Sequence, residues 1–120
     1  MATTSPFDFI PLNPRDYLVL FSLTNGERHG YGIVKEVEEQ SGGDVRMDPS
    51  NLYRSLRRLI QKGLVEETEA RPNEDSDERR RFYSLTPLGR EVVELEASRL
   101  SRLTEVARGR HLIPDSQRTV

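Results

Sequence analysis

Apolar positions along the chain fall into four helical patterns and one weakly alternating pair of segments. The first pattern, "YLVLFSL" from Tyr17, is apolar on nearly every side and predicts a helix buried on more than one face. Asn13 can cap it, Pro14 suits the first helical position, and Asp16 follows three residues after the cap. "TNGERHG" then interrupts the pattern, with Gly26 as a C-terminal cap. Tyr31, Ile33, Val34 and Val37 form a second apolar stripe, opposite Lys35, Glu36, Glu38 and Glu39, and "SGG" stops that helix after Gln40. "DVRM" reads as a brief strand. Leu52, Leu56, Leu59 and Ile60 recur at helical spacing behind an Asp48 cap and a Pro49 start, and Gly63 ends this third helix. "LVEETEA" alternates weakly, "RPNEDSDER" holds turn residues without an apolar anchor, and "RRFYSL" returns, so the three predict a hairpin with a long tip. Thr86 caps and Pro87 opens a last helix of some twenty residues.

This order predicts a mainly α fold with a small β-hairpin (α+β): a winged helix-turn-helix whose third helix is the reader and whose hairpin is the wing. Residues 1–12 form an irregular arm, with Phe7, Phe9 and Ile10 placed to dock on the body. Residues 13–85 form the winged domain, 86–110 the long C-terminal helix and 111–120 a loose tail.

Composition narrows the picture. The 120 residues suffice for one domain, and 34% hydrophobic against 32% charged residues leaves a modest core that gains from a partner surface. No apolar run approaches the length of a membrane span, and the N-terminus lacks the basic and apolar regions of a signal peptide. The absence of cysteine excludes disulfides and thiolate metal sites, and the default compartment is cytoplasmic. A net charge of -2 argues against nonspecific coating of nucleic acid, but not against a local basic face.

That face lies on the third helix. From Arg46 to Gly63 the charges are Arg46, Arg54, Arg57, Arg58 and Lys62 against Asp48 alone. With the leucines inward, Ser50, Asn51, Arg54, Arg57 and Arg58 point outward or to the flanks, and Tyr53 sits at the boundary. Arginine and asparagine have the donor geometry for guanine and adenine edges in the major groove. Ser50 and Asn51 occupy the first turn, where readers meet bases, and Arg54 reaches a base or a phosphate one turn on. Arg57 and Arg58 suit phosphates, which hold position, and the Tyr53 hydroxyl can donate to one. Surface arginines are more often a solvated face, and a lone tyrosine more often edges the core; here the element order singles out the same helix. Arg79, Arg80 and Arg81 at the wing base suit phosphates or a minor groove, whereas the tip "NEDSDE" is acidic and repels both.

"HGYGI" at His29–Ile33, "NLYRSLRRLIQKGLVE" at Asn51–Glu66 and "RRFYSLTPLGRE" at Arg80–Glu91 together resemble the PadR family of transcriptional regulators, in order and at family-like spacing over about residues 14–107. The resemblance implies a winged-helix DNA-binding domain, a dimer joined through the C-terminal helix, and usually repression. Carried onto this chain, it makes Ser50, Asn51, Tyr53 and Arg54 the reader positions and Arg79–Arg81 the wing base. The acidic tip departs from this pattern and puts wing contact with DNA in question. "HGYG" is too weak a glycine pattern for a phosphate loop; Gly30 and Gly32 instead let the second helix start close to its neighbours, and His29 is exposed or caps.

In the last helix Val93, Ala97, Leu100, Leu103 and Ala107 make one stripe, and Leu88, Val92 and Leu95 another near its start. The later turns outrun what a small domain can cover, and a second copy is the simplest cover. A twofold dimer places two readers on successive major grooves and favours a palindromic site. Any small-molecule effector would lie between the subunits. No cofactor or metal is expected. An enzyme is disfavoured by the lack of cysteine, by only two histidines, and by Glu66, Glu67 and Glu69 having no acid–base partner. The competing reading is a winged-helix module that binds an acidic protein partner through the same basic face.

Overall fold

The computed structural model describes residues 4–68, 71–72 and 79–114; for 71–72 and 79–80 it describes the strand pairing alone. Four helices, α1 (Pro14–Ser22), α2 (Gly30–Gln40), α3 (Pro49–Gln61) and α4 (Pro87–Gly109), carry the fold. Each starts where its capping side chain accepts a backbone N–H: Asn13 from Asp16, His29 from Gly32, Asp48 from Asn51 and Thr86 from Gly89. His29 is therefore a cap, and its ring stacks on Tyr31 and meets Phe82 edge-on.

A three-stranded antiparallel sheet lies beside the helices in the order β1 (Arg28–His29), β5 (Phe82–Leu85), β2 (Val65–Glu67). Arg28 pairs with Tyr83, and Val65 with Leu85. Further out, β3 (Arg71–Pro72) pairs with β4 (Arg79–Arg80) to continue the hairpin. The short strand expected at 44–47 is irregular backbone; the third strand of the sheet is Arg28–His29, between α1 and α2. Two residues carry too little alternation to be read, and their pairing with β5 is non-local. Helix α1 also stops before Gly26, at a Leu23 cap, and Gly26 forms the following turn with φ +134°.

Val19, Leu20 and Leu23 of the α1 segment pack with Ile33 and Val37 of α2, Leu52, Leu56 and Leu59 of α3, and Val92 and Val93 of α4. The leucine spacing of α3 thus does bury its inner side. Tyr31 departs from the expected stripe: it is 68% exposed, because two residues before Ile33 and six before Val37 it falls on the far side of the helix from both buried positions. Within the N-terminal segment Pro6–Phe9 forms a 3₁₀ turn packed on α4. Phe9 and Ile10 dock against the core, while Phe7 stays exposed.

One buried carboxylate fastens this arm. Glu96 is 1% exposed; it accepts from Leu12 N–H at 2.9 Å and from both Nε and Nη2 of Arg99 at 2.6 and 2.9 Å. The Arg99 hydrogen bond holds the Glu96 carboxyl below the ordinary range, against the upward push of burial, and the Leu12 amide assists.

Gly89 sets how closely α4 approaches the end of α3. A Cβ there would lie 2.0 Å from the Leu64 carbonyl oxygen. Thr86 closes the same joint, donating from Oγ1 to Gly63 O at 2.6 Å and from its N–H to Leu64 O at 3.1 Å.

Candidate nucleic-acid interface

Helix α3 presents its outer side as a connected polar row. Asp48 Oδ1 accepts the Asn51 N–H at 2.8 Å, and Asp48 Oδ2 accepts from the Asn51 amide at 3.3 Å. Arg54 Nη1 then donates to Asn51 Oδ1 at 3.3 Å. A carboxylate, an amide and a guanidinium are thereby held in line along the first turn and a half. Ser50 and Arg57 are exposed, and Tyr53 is 51% exposed.

Arg58 is held within the fold. Its Nη2 donates to Asp16 Oδ1 at 2.6 Å and its Nε to Asp16 Oδ2 at 3.3 Å, with Ser55 Oγ at 3.4 Å. Asp16 is buried and also accepts from the Asn13 side chain at 3.1 Å. The pair joins the start of α1 to the middle of α3, so Arg58 fixes how α3 sits against α1. Periodicity carries no signal for this contact, which spans 42 residues.

At the wing base Arg81 is ion-paired with Glu67 across the β2–β5 pair. Arg79 and Arg80 lie in β4; their side chains, and the acidic tip at 73–78, fall outside the described residues. Between α3 and the wing runs an open groove of 370 Å³, lined by Tyr53, Arg57, Gln61, Glu67, Arg81 and Tyr83 among others. Burial, then the Glu67 carboxylate, pushes the Tyr83 hydroxyl above the ordinary phenol range, so it stays a neutral donor at neutral pH. On the other side of α3 a second groove, of 540 Å³, lies between the start of α1 and the reader, with Asn13, Arg15, Asn51, Arg54 and Arg58 in its walls. Arg15 is the residue of this face that the sequence reading did not single out.

Along α4 the expected stripe divides. Val93 is 4% exposed and belongs to the core of its own domain, so it is unavailable to a partner: the helix is still docked on the body at that turn. Ala97 is exposed, Leu100 and Ala107 are half-buried, and Leu103 and Val106 are 52% and 50% exposed. Among the described residues no cluster of acidic or histidine side chains is placed to hold a metal, and no helix is long and apolar enough to cross a membrane.

Three core helices, a three-stranded sheet with an extended hairpin, and a capped helix carrying an outward basic row define a winged helix-turn-helix of the transcription-regulator class. The family model of the transcriptional regulator PadR-like family matches residues 19–95, and the chain belongs to that family. Among solved structures, a PadR family transcription regulator from Clostridium difficile R20291 superposes with a TM-score of 0.70 at 24% identity, over 81% of this chain and 97% of that one. Bacillus subtilis PadR in complex with operator DNA aligns with a TM-score of 0.57 at 24% identity, over 66% of this chain and 44% of that one. An uncharacterized 37.1 kDa protein in transposon TN4556 of Streptomyces fradiae is 42% identical over 92 residues, which are 77% of this chain. The match spans only 24% of that longer relative.

Proposed function

We propose that this chain is a sequence-specific double-stranded DNA-binding repressor that acts in the cytoplasm as a homodimer on a palindromic operator. The observation that carries this reading is the outward row of α3, where Ser50, Asn51, Tyr53, Arg54 and Arg57 stand between two open grooves, each lined with arginine. Helix α3 enters the major groove, Ser50, Asn51 and Arg54 meet base edges, and Tyr53 and Arg57 meet phosphates. Arg81 reaches the backbone by exchanging its Glu67 partner for a phosphate, with Arg79 and Arg80 beside it. The Bacillus subtilis relative bound to operator DNA supports the DNA reading. The exposed leucine and valine on the outer half of α4 support a second copy as the cover, with Ala97, Leu100, Leu103 and Ala107 at the contact and the space between subunits as the place for an effector.

The test is a titration against the DNA upstream of the protein's own gene, run at several salt concentrations with random duplex as control. Preference over random DNA by about a thousandfold, in the usual specific range, supports a regulator with a local operator. No preference over random DNA at any salt points either to a distant operator or to an acidic protein partner, which a search for co-purifying protein separates.

A further inference from the structure

A helix seated in the major groove has a phosphate strand on each side of it. On the wing side of α3, Tyr53, Arg57 and Arg81 line a groove that one strand would meet in this reading. On the other side the wall opposite α3 is the first turn of α1, to which no role in contacting DNA has been given. We propose that the groove between α1 and α3 seats a phosphate of the second strand, with Arg15 as its principal cation; this rests on reading α3 as the major-groove helix.

Three observations carry it. Arg15 is exposed and makes no hydrogen bond or ion pair among the described residues, so its guanidinium is free to take an oxyanion. The one carboxylate buried against this wall, Asp16, is already neutralised by Arg58 at 2.6 Å, which leaves Arg15 and Arg54 as the uncompensated charges of the groove. Asp48, at the near end of α3, keeps its negative charge while its oxygens accept from Asn51, but it is not among the residues that line this groove. Arg54 is tied only by a 3.3 Å bond to Asn51 and can turn from that amide to a phosphate or a base without breaking the fold. The Asp16–Arg58 pair also fixes α1 to α3, so the spacing between Arg15 and the reader row is set before DNA arrives. The result is a phosphate clamp of two unequal jaws, the wing base on one side and the start of α1 on the other.

The experiment uses a duplex enriched from a random library by the wild-type protein, together with an unselected duplex, and measures affinity against salt concentration for wild type, Arg15→Ala and Arg15→Lys. For Arg15→Ala the slope of log affinity against log salt should flatten by about one unit on both duplexes, with affinity near 0.1 M salt down about tenfold. Arg15→Lys should recover the slope, and all three proteins should melt at the same temperature. An unchanged slope in Arg15→Ala overturns the phosphate seat. A loss confined to the selected duplex with its slope intact also overturns it, since that marks a base contact. A wild-type protein that enriches no sequence and binds neither duplex overturns the reading of α3 and the seat together.

Discussion

At the scale of single residues, the capping side chains are the most legible part of this protein. Asn13, Asp48 and Thr86 stand directly before a proline, a pairing that places a helix start to the residue, and all three accept the expected N–H. Gly89 was not legible, because its need for a missing side chain arises from a carbonyl 25 positions away. Gly89→Ala would press a methyl group into the Leu64 carbonyl, where backbone on both sides prevents relief. It should destabilise the domain by about 3 kcal/mol or more, read as a lower urea midpoint. Glu96 was likewise unmarked: it occupies a position within a helix that otherwise looks solvated. Its native value lies below the ordinary 4.5. The stability it contributes is therefore complete above that ordinary value and is lost as pH falls through the lower native one. Glu96→Gln should flatten the acid limb of the stability profile, read in urea titrations as pH falls below the ordinary 4.5.

At the scale of elements, long-period signals survived and short ones did not. The leucine spacing of α3 and the hairpin that follows it were readable because each repeats several times along the chain. Strand β1 has two residues and exists only because β5 offers an edge, while 44–47, with an apolar residue at each second position, finds no such edge and stays irregular. The join between α1 and α3 was invisible for a related reason, since an ion pair between two helices leaves no periodic trace. Replacing Arg58 with Met would leave the buried Asp16 facing an apolar chain. Breaking such a pair costs about 3–5 kcal/mol when fully buried; with Arg58 partly exposed, about 1–3 kcal/mol is expected. That loss should appear in thermal melts, and the salt dependence of DNA binding should change less than in Arg57→Ala.

At the scale of the whole molecule, the basic face was readable from charge placement against element order, and so was the division of α4 into docked early turns and outrunning later ones; the place of the division was not. The sequence reading assigns the stripe from Val93 to Ala107 whole to a partner, whereas Val93 belongs to the core and solvent exposure grows beyond Leu100. Leu100→Glu lies past that boundary. It should yield monomers in sedimentation velocity without lowering the melting temperature of the isolated fold by more than a few degrees, and it should weaken binding to a palindromic duplex far more than to a half-site.

The joint at Gly63, Leu64, Thr86 and Gly89 would give the proposed dimer a mechanical property. The long helix begins on hydrogen bonds that Thr86 donates to the Gly63 and Leu64 carbonyls, just past the end of α3, with no room for a side chain at Gly89. A joint this close would couple the two helices as a crank and its shaft. In a dimer, a few degrees of rotation between the two shafts would swing the readers through ångströms at the DNA, so a molecule wedged between the subunits would not need to touch the reading surface to throw it out of pitch with the double helix.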